Sequence, residues 1–371
     1  MNAPGRASGD STVRALLDFR PALTLGEGIG RYALELGRAL SGRGDVELRL
    51  FGPTWAPAPR AADVRGWPRT RLFRARVPSK ALVRSTRAFG LGAERFFRGG
   101  ADVVHHTQYR RLPTRRPEIA TVHDLVYLDT DRFVGAGVAQ RMSAFAREAA
   151  RTARVLVTPS ATVADEVRER LDVDPGRVVP TPLGVDHVLR WPAGPAEVGA
   201  PYVLTVARIE SRKNHLGVLR ALERLGSAAP RWIVVGPRGE GAEEFLRAVE
   251  RSPLRSGIEL RGRVPEAALR GLVEGALACV LVPFDEGFGL GPLEAMRLGT
   301  PAVTSDVPVV REVCGGGAAL ADPAEPDAIA QAVSSVLDGR DRASARGLDH
   351  ASAFTWARTA AETVRAYRRA L

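Results

Sequence analysis

Short apolar runs alternate with longer amphipathic stretches along the whole chain. In the first half, Val13–Asp18, Val46–Phe51, Asp102–His106, Ile119–Val122 and Val155–Thr158 read as strands. In the second half, Tyr202–Val206, Trp232–Gly236, Ile258–Arg261, Ala278–Pro283 and Ala302–Thr304 do the same. Each run is brief and bounded by turn residues, the pattern of strands buried on both faces of a parallel sheet. Helical spacing lies between them. One helix begins near Gly28 and places Ile29, Tyr32, Ala33, Leu36 and Leu40 on one side. A second starts near Asn214, and a third opens at Pro292, a residue favoured in a first turn. This alternation predicts an α/β chain with parallel sheets covered on both faces. The pattern breaks over Asp186–Ala200, where Arg190 to Pro201 holds three prolines and two glycines and reads as a linker. Two Rossmann-like domains are therefore expected, residues 1–188 and 201–345, joined by a hinge over 189–200 with a cleft between them. Residues 1–12 are expected to be disordered.

Composition narrows the class. The chain has 371 residues, enough for two domains. Its 45% apolar and 26% charged residues are ordinary for a globular protein and exclude a mostly disordered one. No stretch approaches the roughly 18 apolar residues of a membrane span. Met1–Thr12 is polar and does not read as a signal peptide. Cys279 and Cys314 match no metal or redox spacing, so a reduced, cytoplasmic setting is expected.

The charge is unevenly placed. The net +11 comes from residues 1–190, with 31 Arg and Lys against 20 Asp and Glu; residues 191–371 hold 22 of each. Arg60–Gly100 alone has 11 basic residues against Asp63 and Glu94. There arginine is interleaved with Trp67, Leu72, Phe73, Leu82, Phe89, Leu91, Phe96 and Phe97, a mixture that suits an anionic membrane surface. The same half lacks aromatic stacking motifs or a recognised module for nucleic acid, so nucleic acid is not an expected partner.

Four motifs carry candidate chemistry. In Asp285-Glu286-Gly287-Phe288-Gly289-Leu290-Gly291-Pro292-Leu293-Glu294, two glutamates stand eight positions apart across a glycine-rich turn. One continuous helix is disfavoured, because each interior glycine costs about 1 kcal/mol. A loop at a strand's carboxyl end followed by a helix fits better, with Glu286 on the loop and Glu294 in the first helical turn. Open α/β sheets bind ligands there, and glycine admits close backbone approach. The second motif, Arg208-Ile-Glu-Ser-Arg212-Lys213-Asn214-His215, gathers cations where a helix begins. Cations are unfavourable at that end unless an anion such as a diphosphate binds between them. The third is Val122-His123-Asp124 at the end of a strand, where a histidine faces the cleft and can donate to a hydroxyl. The fourth, Gly26-Glu-Gly28-Ile-Gly30-Arg31, fails as a dinucleotide fingerprint but remains a loop that admits close approach at Gly28. Two Asp-x-Asp pairs, Asp129 with Asp131 and Asp172 with Asp174, have the spacing to hold a divalent metal, although the second lies in a Pro-Gly turn.

Together these motifs resemble family 4 glycosyltransferases of the GT-B fold. The resemblance rests on Glu286-Gly-Phe-Gly-Leu-Gly-Pro-Leu-Glu294-Ala-Met, Gly299-Thr-Pro-Ala-Val-Thr-Ser305, Arg208 with Lys213-Asn214-His215, Gly28-Ile-Gly-Arg-Tyr32, His123-Asp124 and Pro182-Leu-Gly-Val-Asp186. It runs from about residue 13 to the C-terminus. There Phe354-Thr-Trp356 and the helix after it, within residues 346–371, resemble the family's terminal segment, which crosses back onto the first domain. Gly291, where many members have proline, and Phe284-Asp285 depart from the common pattern.

The resemblance implies a nucleoside-diphosphate sugar lying mainly on the second domain. Arg208 and Lys213 would neutralise the leaving diphosphate. Glu286 would hold sugar hydroxyls and Glu294 the ribose. Backbone of Gly287, Phe288, Gly289 and Leu290 would contact sugar and phosphate, with Val264 beside the base, Gly28 at the donor and His123 on the transferred sugar. It further implies retention of anomeric configuration and no metal or other cofactor. The Lys-Asn-His variant resembles mannosyltransferases, favouring GDP-mannose as donor and a glycan or polyprenyl-linked glycan as acceptor, at the inner face of a cell membrane. A nucleotide-sugar epimerase, or a non-catalytic nucleotide-sugar binder on the same fold, is the alternative.

Overall fold

A computed structural model of the chain describes residues 12–24, 26, 28–55, 64–128, 133, 135–195 and 199–371. Of the segment 1–12 expected to be disordered, residues 1–11 lie outside them, as do the Asp129 and Asp131 pair and Arg60 to Asp63.

Two wholly parallel sheets form, one from each half of the chain. The first contains β1 (Val13–Asp18), β2 (Val46–Phe51), β3 (Thr70–Phe73), β4 (Val103–His106), β5 (Glu118–Thr121), β6 (Val155–Thr158) and β7 (Val178–Pro180), in the order β3-β2-β1-β4-β5-β6-β7. The second contains β8 (Tyr202–Val206), β9 (Arg231–Val235), β10 (Ile258–Gly262), β11 (Ala278–Leu281), β12 (Ala302–Ser305) and β13 (Ala319–Ala321), in the order β10-β9-β8-β11-β12-β13. The order reverses beside β1 and again beside β8, so each sheet has a switch point at which a crevice opens at the carboxyl ends of the strands. The central strands are buried along almost their whole length, as their continuous apolar runs require.

Three strands escaped the sequence pattern, and all three lie at sheet edges. Thr70–Phe73 sits among arginines with both faces partly exposed. Val178–Pro180 and Ala319–Ala321 have three residues each, too few to show a period. The expected linker is also less free than its prolines suggest. Asp186–Arg190 forms a 3-10 turn with His187 and Val188 buried. Trp191 is buried, with the Arg31 guanidinium over its ring and its carbonyl accepting from Arg270 Nη1 at 2.7 Å.

The last helix, Trp356–Ala370, belongs to the first sheet's core although it follows the second sheet in sequence. Thr355 caps it by accepting from the Arg358 amide at 3.3 Å. Its buried face runs through Trp356, Thr359, Ala360, Thr363, Val364 and Tyr367. The Tyr367 hydroxyl meets His105 Nδ1 at 2.9 Å, and His105 Nε2 meets the Thr121 hydroxyl at 2.8 Å. Thr121 in turn meets the Tyr32 hydroxyl at 3.0 Å, so one buried polar chain ties this helix to β4, β5 and the helix Ile29–Ser41. The entry to the last helix passes Gly184 so closely that any Cβ there would collide with the Trp356 amide. Asp186 Oδ1 accepts from that amide at 2.8 Å.

The Arg60–Gly100 segment, described from residue 64, spends most of its apolar residues on the core. Phe73 and Phe96 pack with Phe51, Phe97 is buried, Leu82 is partly buried beside them, and Trp67 and Leu72 cover the main core. Of the eight apolar residues in that mixture, Phe89 (76% exposed) and Leu91 (37%) face outward. Among the described residues no helix is long and apolar enough to cross a membrane.

Three buried histidines make stability depend on pH. Burial pushes His105, His106 and His215 down to about 3. Between pH 6.5 and 3 the unfolded chain takes up these protons and the folded chain does not, so stability present above pH 6.5 is lost as pH falls. Each histidine adds to the loss across that window. Denaturant unfolding at pH 7 and 5.5 should show a smaller loss in His215→Leu than in the wild type, because the substitution removes a buried ring with no hydrogen-bond partner among the described residues.

Candidate active site

The carboxyl end of β11 leads into the glycine-rich loop, and the turn after β8 is built to meet it. Ser211–Lys213 forms a 3-10 turn that ends on Asn214 in the left-handed region, φ 55°. Asn214 holds that strained position with its side chain. Its Nδ2 donates to the carbonyls of Val282 (3.0 Å) and Pro323 (2.8 Å), and its Oδ1 caps the following helix at the Gly217 amide (3.1 Å). The turn thereby aims Arg212 and Lys213 back at the loop. The Phe284 amide donates to the Arg212 carbonyl at 2.9 Å, and Arg212 Nη1 donates to the Asp285 carbonyl at 2.9 Å.

Glu286 sits between two cations. Lys213 Nζ pairs with its Oε1, and Arg212 Nη1 lies 3.5 Å from its Oε2. Burial alone would raise the Glu286 carboxyl, but Lys213 and Arg212 outweigh it and hold it below the usual carboxylate range. Burial lowers the Lys213 ammonium; Glu286 opposes that and Arg212 adds to it. Asp285 goes the other way. Burial first, then the neighbouring Asp124 charge, push it up to about 7 against the pull of Arg212.

The helix after the loop opens earlier than its proline suggests. Gly289, at φ 95°, hands the chain into Leu290–Arg297. Pro292 falls third in the helix, where its missing N–H has no intrahelical partner to lose. Glu294 consequently lies in the second turn and not the first. Its Oε1 is bonded to His187 Nε2 at 2.9 Å. Phe288 is a core residue packed edge-on against Phe354, and Leu290 is partly buried, so these two offer a ligand their backbone.

The first half contributes from across the cleft. His123 follows β5, and its Nε2 donates to the Thr107 carbonyl at 3.0 Å. Burial lowers its pKa, so the ring is neutral and its Nδ1 is an acceptor. The ring can therefore only accept at Nδ1; its one N–H is already committed to Thr107, contrary to the donating role expected for it. The backbone there touches the glycine loop: a Cβ on Gly287 would collide with the His123 carbonyl oxygen and lie 3.4 Å from the Asp124 Cβ. Asp124 Oδ1 is buried with no partner among the described residues. Gly28, at φ 50°, precedes the helix Ile29–Ser41 and leaves the space beyond its Cα open. Val264 lies just beyond β10, packed against the core under β8.

Arg208 stands apart from this cluster. It is exposed, its stem lies over Gly239, and no hydrogen bond joins it to Glu286 among the described residues. The guanidinium that reaches Glu286 belongs to Arg212, one residue from Lys213 in the same motif. His187 and Arg31 were also missed. Arg31 bonds Glu266 at 2.6 Å and has its charge facing Glu294. Asp172 and Asp174 cap turns: Asp172 ends a helix at φ 52°, and Asp174 Oδ1 accepts from the Gly176 amide. Among the described residues, no three His, Cys, Asp or Glu side chains gather as a metal site.

Two facing Rossmann-like sheets, with a paired-glutamate loop meeting a cationic turn at their carboxyl ends, define a GT-B glycosyltransferase. Residues 26–189 match the family model "Glycosyltransferase Family 4", and residues 192–348 match "Glycosyl transferases group 1". The chain is 30% identical over 364 residues to O-antigen chain mannosyltransferase B of Escherichia coli, covering 92% of this chain and 96% of that protein. It is 27% identical over 396 residues to D-inositol 3-phosphate glycosyltransferase of a Nocardioides species, covering 92% and 85%. The fold matches sucrose-phosphate synthase of Thermosynechococcus elongatus at TM-score 0.72 and 20% identity, over 96% and 98% of the two chains. It also matches Anabaena HepE in complex with UDP-glucose, at TM-score 0.71 and 16% identity, over 95% and 99%. The chain belongs to this glycosyltransferase family.

The contact at Gly287 gives a direct test of the closed cleft. Gly287→Ala should force the two loops apart, increasing the radius of gyration in small-angle scattering. It should lower transfer about 100-fold, the scale of a 1 Å misplacement at a reacting centre. An unchanged radius of gyration with full activity would show that the halves do not meet there in solution.

Proposed function

We propose that the protein transfers a hexose, with mannose favoured, from a nucleoside-diphosphate sugar to a glycan or lipid-linked glycan. The observation that carries the reading is Glu286 held between Lys213 and Arg212, on a loop whose next residue, Gly287, lies against the His123 carbonyl. A mannosyl donor, and GDP-mannose in particular, draws support from the Lys213-Asn214-His215 sequence and from the Escherichia coli relative, whose name is that of a mannosyltransferase.

In this reading the bond from the sugar's anomeric carbon to the diphosphate oxygen breaks. A bond to the acceptor hydroxyl oxygen forms on the same face, and the acceptor proton passes to the departing phosphate. Lys213 and Arg208 take up the charge that develops on the diphosphate, a stabilisation confined to the transition state. Arg212 holds Glu286 in place for the sugar hydroxyls, and Glu294 accepts from the ribose. The amides of Gly287 to Leu290 lie along the sugar and phosphate, and His123 accepts from the sugar across the cleft. Val264 borders the base and Gly28 leaves room for the donor. Side-chain cations do this work without a metal, so activity should persist in chelator.

The test is transfer from GDP-mannose and UDP-glucose, each to a polyprenyl-linked glycan. Lys213→Ala and Glu286→Gln should each lower transfer at least 100-fold with melting temperature little changed. Wild-type rates in either variant would overturn the reading. Conversion of the donor with no acceptor present would point instead to an epimerase.

The acceptor side carries a second proposal. The surplus positive charge of the first half, with Phe89 and Leu91 exposed just after the helix Ser79–Ala88 that holds Lys80 and Arg84, suits docking on an anionic membrane where a lipid-linked acceptor resides. The protein should sediment with anionic vesicles at low salt and release as salt rises. Indifference to such vesicles at low salt would remove the membrane from the reading.

A further inference from the structure

Glu294 does not stand alone. His187, wholly buried in the junction between the halves, reaches it from the turn Asp186–Arg190. The ring is clamped between two tryptophans, with Trp191 at 5.7 Å and Trp356 at 6.1 Å between centroids. Trp356 is the first residue of the crossing helix, and its indole Nε1 lies 3.1 Å from His187 Nδ1. An indole nitrogen can only donate. His187 Nδ1 must therefore accept and carries no hydrogen. The ring proton is on Nε2, 2.9 Å from Glu294 Oε1.

A ring that merely filled space would not need this arrangement, since a phenylalanine could pack between the same tryptophans. Here both nitrogens are used, in one direction: indole to imidazole to carboxylate. The carboxylate's other oxygen, Oε2, has no hydrogen-bond donor among the described residues, and the Glu294 side chain is 18% exposed. Trp356 is itself fixed, through its amide, by Asp186, the residue before His187.

We infer that His187 is the positioning residue for Glu294 and that Trp356 sets its tautomer. The helix packed on the first half thereby orients a carboxylate of the second. The inference rests on the reading of Glu294 as the group that accepts from the donor's ribose. If His187 fixes that carboxylate, its loss should weaken nucleotide binding only to the extent that ribose hydroxyls contribute.

The experiment is calorimetric titration of GDP and UDP and of their 2′,3′-dideoxy forms. Wild type should bind the better nucleotide about 10-fold or more tightly than its dideoxy form. His187→Ala should lose most of that preference while dideoxy affinity stays within about 2-fold, a pattern that general destabilisation does not produce. His187→Gln, whose amide can replace the Nε2–H, should restore it. Trp356→Phe keeps the ring but removes the N–H, and should reduce the preference only when His187 is present. Nitrogen NMR of labelled histidine should show His187 protonated at Nε2 in the wild type, whether or not the variants fold. Protonation at Nδ1, or a His187→Ala protein with the wild-type preference, would overturn the inference. If Glu294→Ala keeps the preference, or wild type has none, the ribose reading fails and this inference with it. If Glu294→Ala loses the preference and His187→Ala keeps it, the ribose reading stands and only the role of His187 falls.

Discussion

Everything at the cleft depends on a helix that is far from its own sheet in sequence. Parallel strands all end on the same side, so each sheet offers one reactive edge, and the two edges are useful only if they face one another. Trp356–Ala370 secures that by burying its apolar face in the first half while following the second. The Gly184 approach and the Asp186 bond to the Trp356 amide pin its first turn at the junction. Glu312 adds a second tie: its carboxylate accepts from the amides of Ala161 and Thr162 at 2.8 and 2.7 Å, placing an anion at a helix N-terminus of the opposite half.

Within that frame, the site is an exercise in burying charge with its counter-charge. Glu286 stays ionised because two cations surround it, whereas Asp285, one residue earlier, is pushed up to about 7 by burial and by Asp124. Neighbours in sequence thus acquire opposite properties from their surroundings. The left-handed Asn214 is the small piece of strain that makes this geometry, and three side-chain hydrogen bonds hold it.

The positive charge of the first half takes on a narrower meaning. As sequence, Arg60–Gly100 is an interleaving of arginine with eight large apolar residues. Folded, most of those apolar residues close the core beside β2 and β3, and two are left at the surface. The arginines are then mainly the solvent-facing side of ordinary packing, with a small apolar point at Phe89 and Leu91 among them.

The central strands were legible to within one or two residues, because a strand buried on both faces must be apolar throughout. The edge strands Thr70–Phe73, Val178–Pro180 and Ala319–Ala321 were not, because an edge imposes no such demand. The placement of Glu286, Lys213 and His123 just beyond strand ends was legible, because glycine loops and cation clusters there have a local chemical reason to exist. Which cation meets Glu286 was not: Arg208 and Arg212 are alike in sequence, and only the direction of the turn at Asn214 separates them. Whether His123 donates or accepts was decided by the Thr107 carbonyl. His187 was invisible for the same reason, since its partners Glu294 and Trp356 are more than a hundred residues away. Local pattern determines which elements form and where reactive groups cluster; contacts between distant segments decide which of those groups meet and which way each proton points.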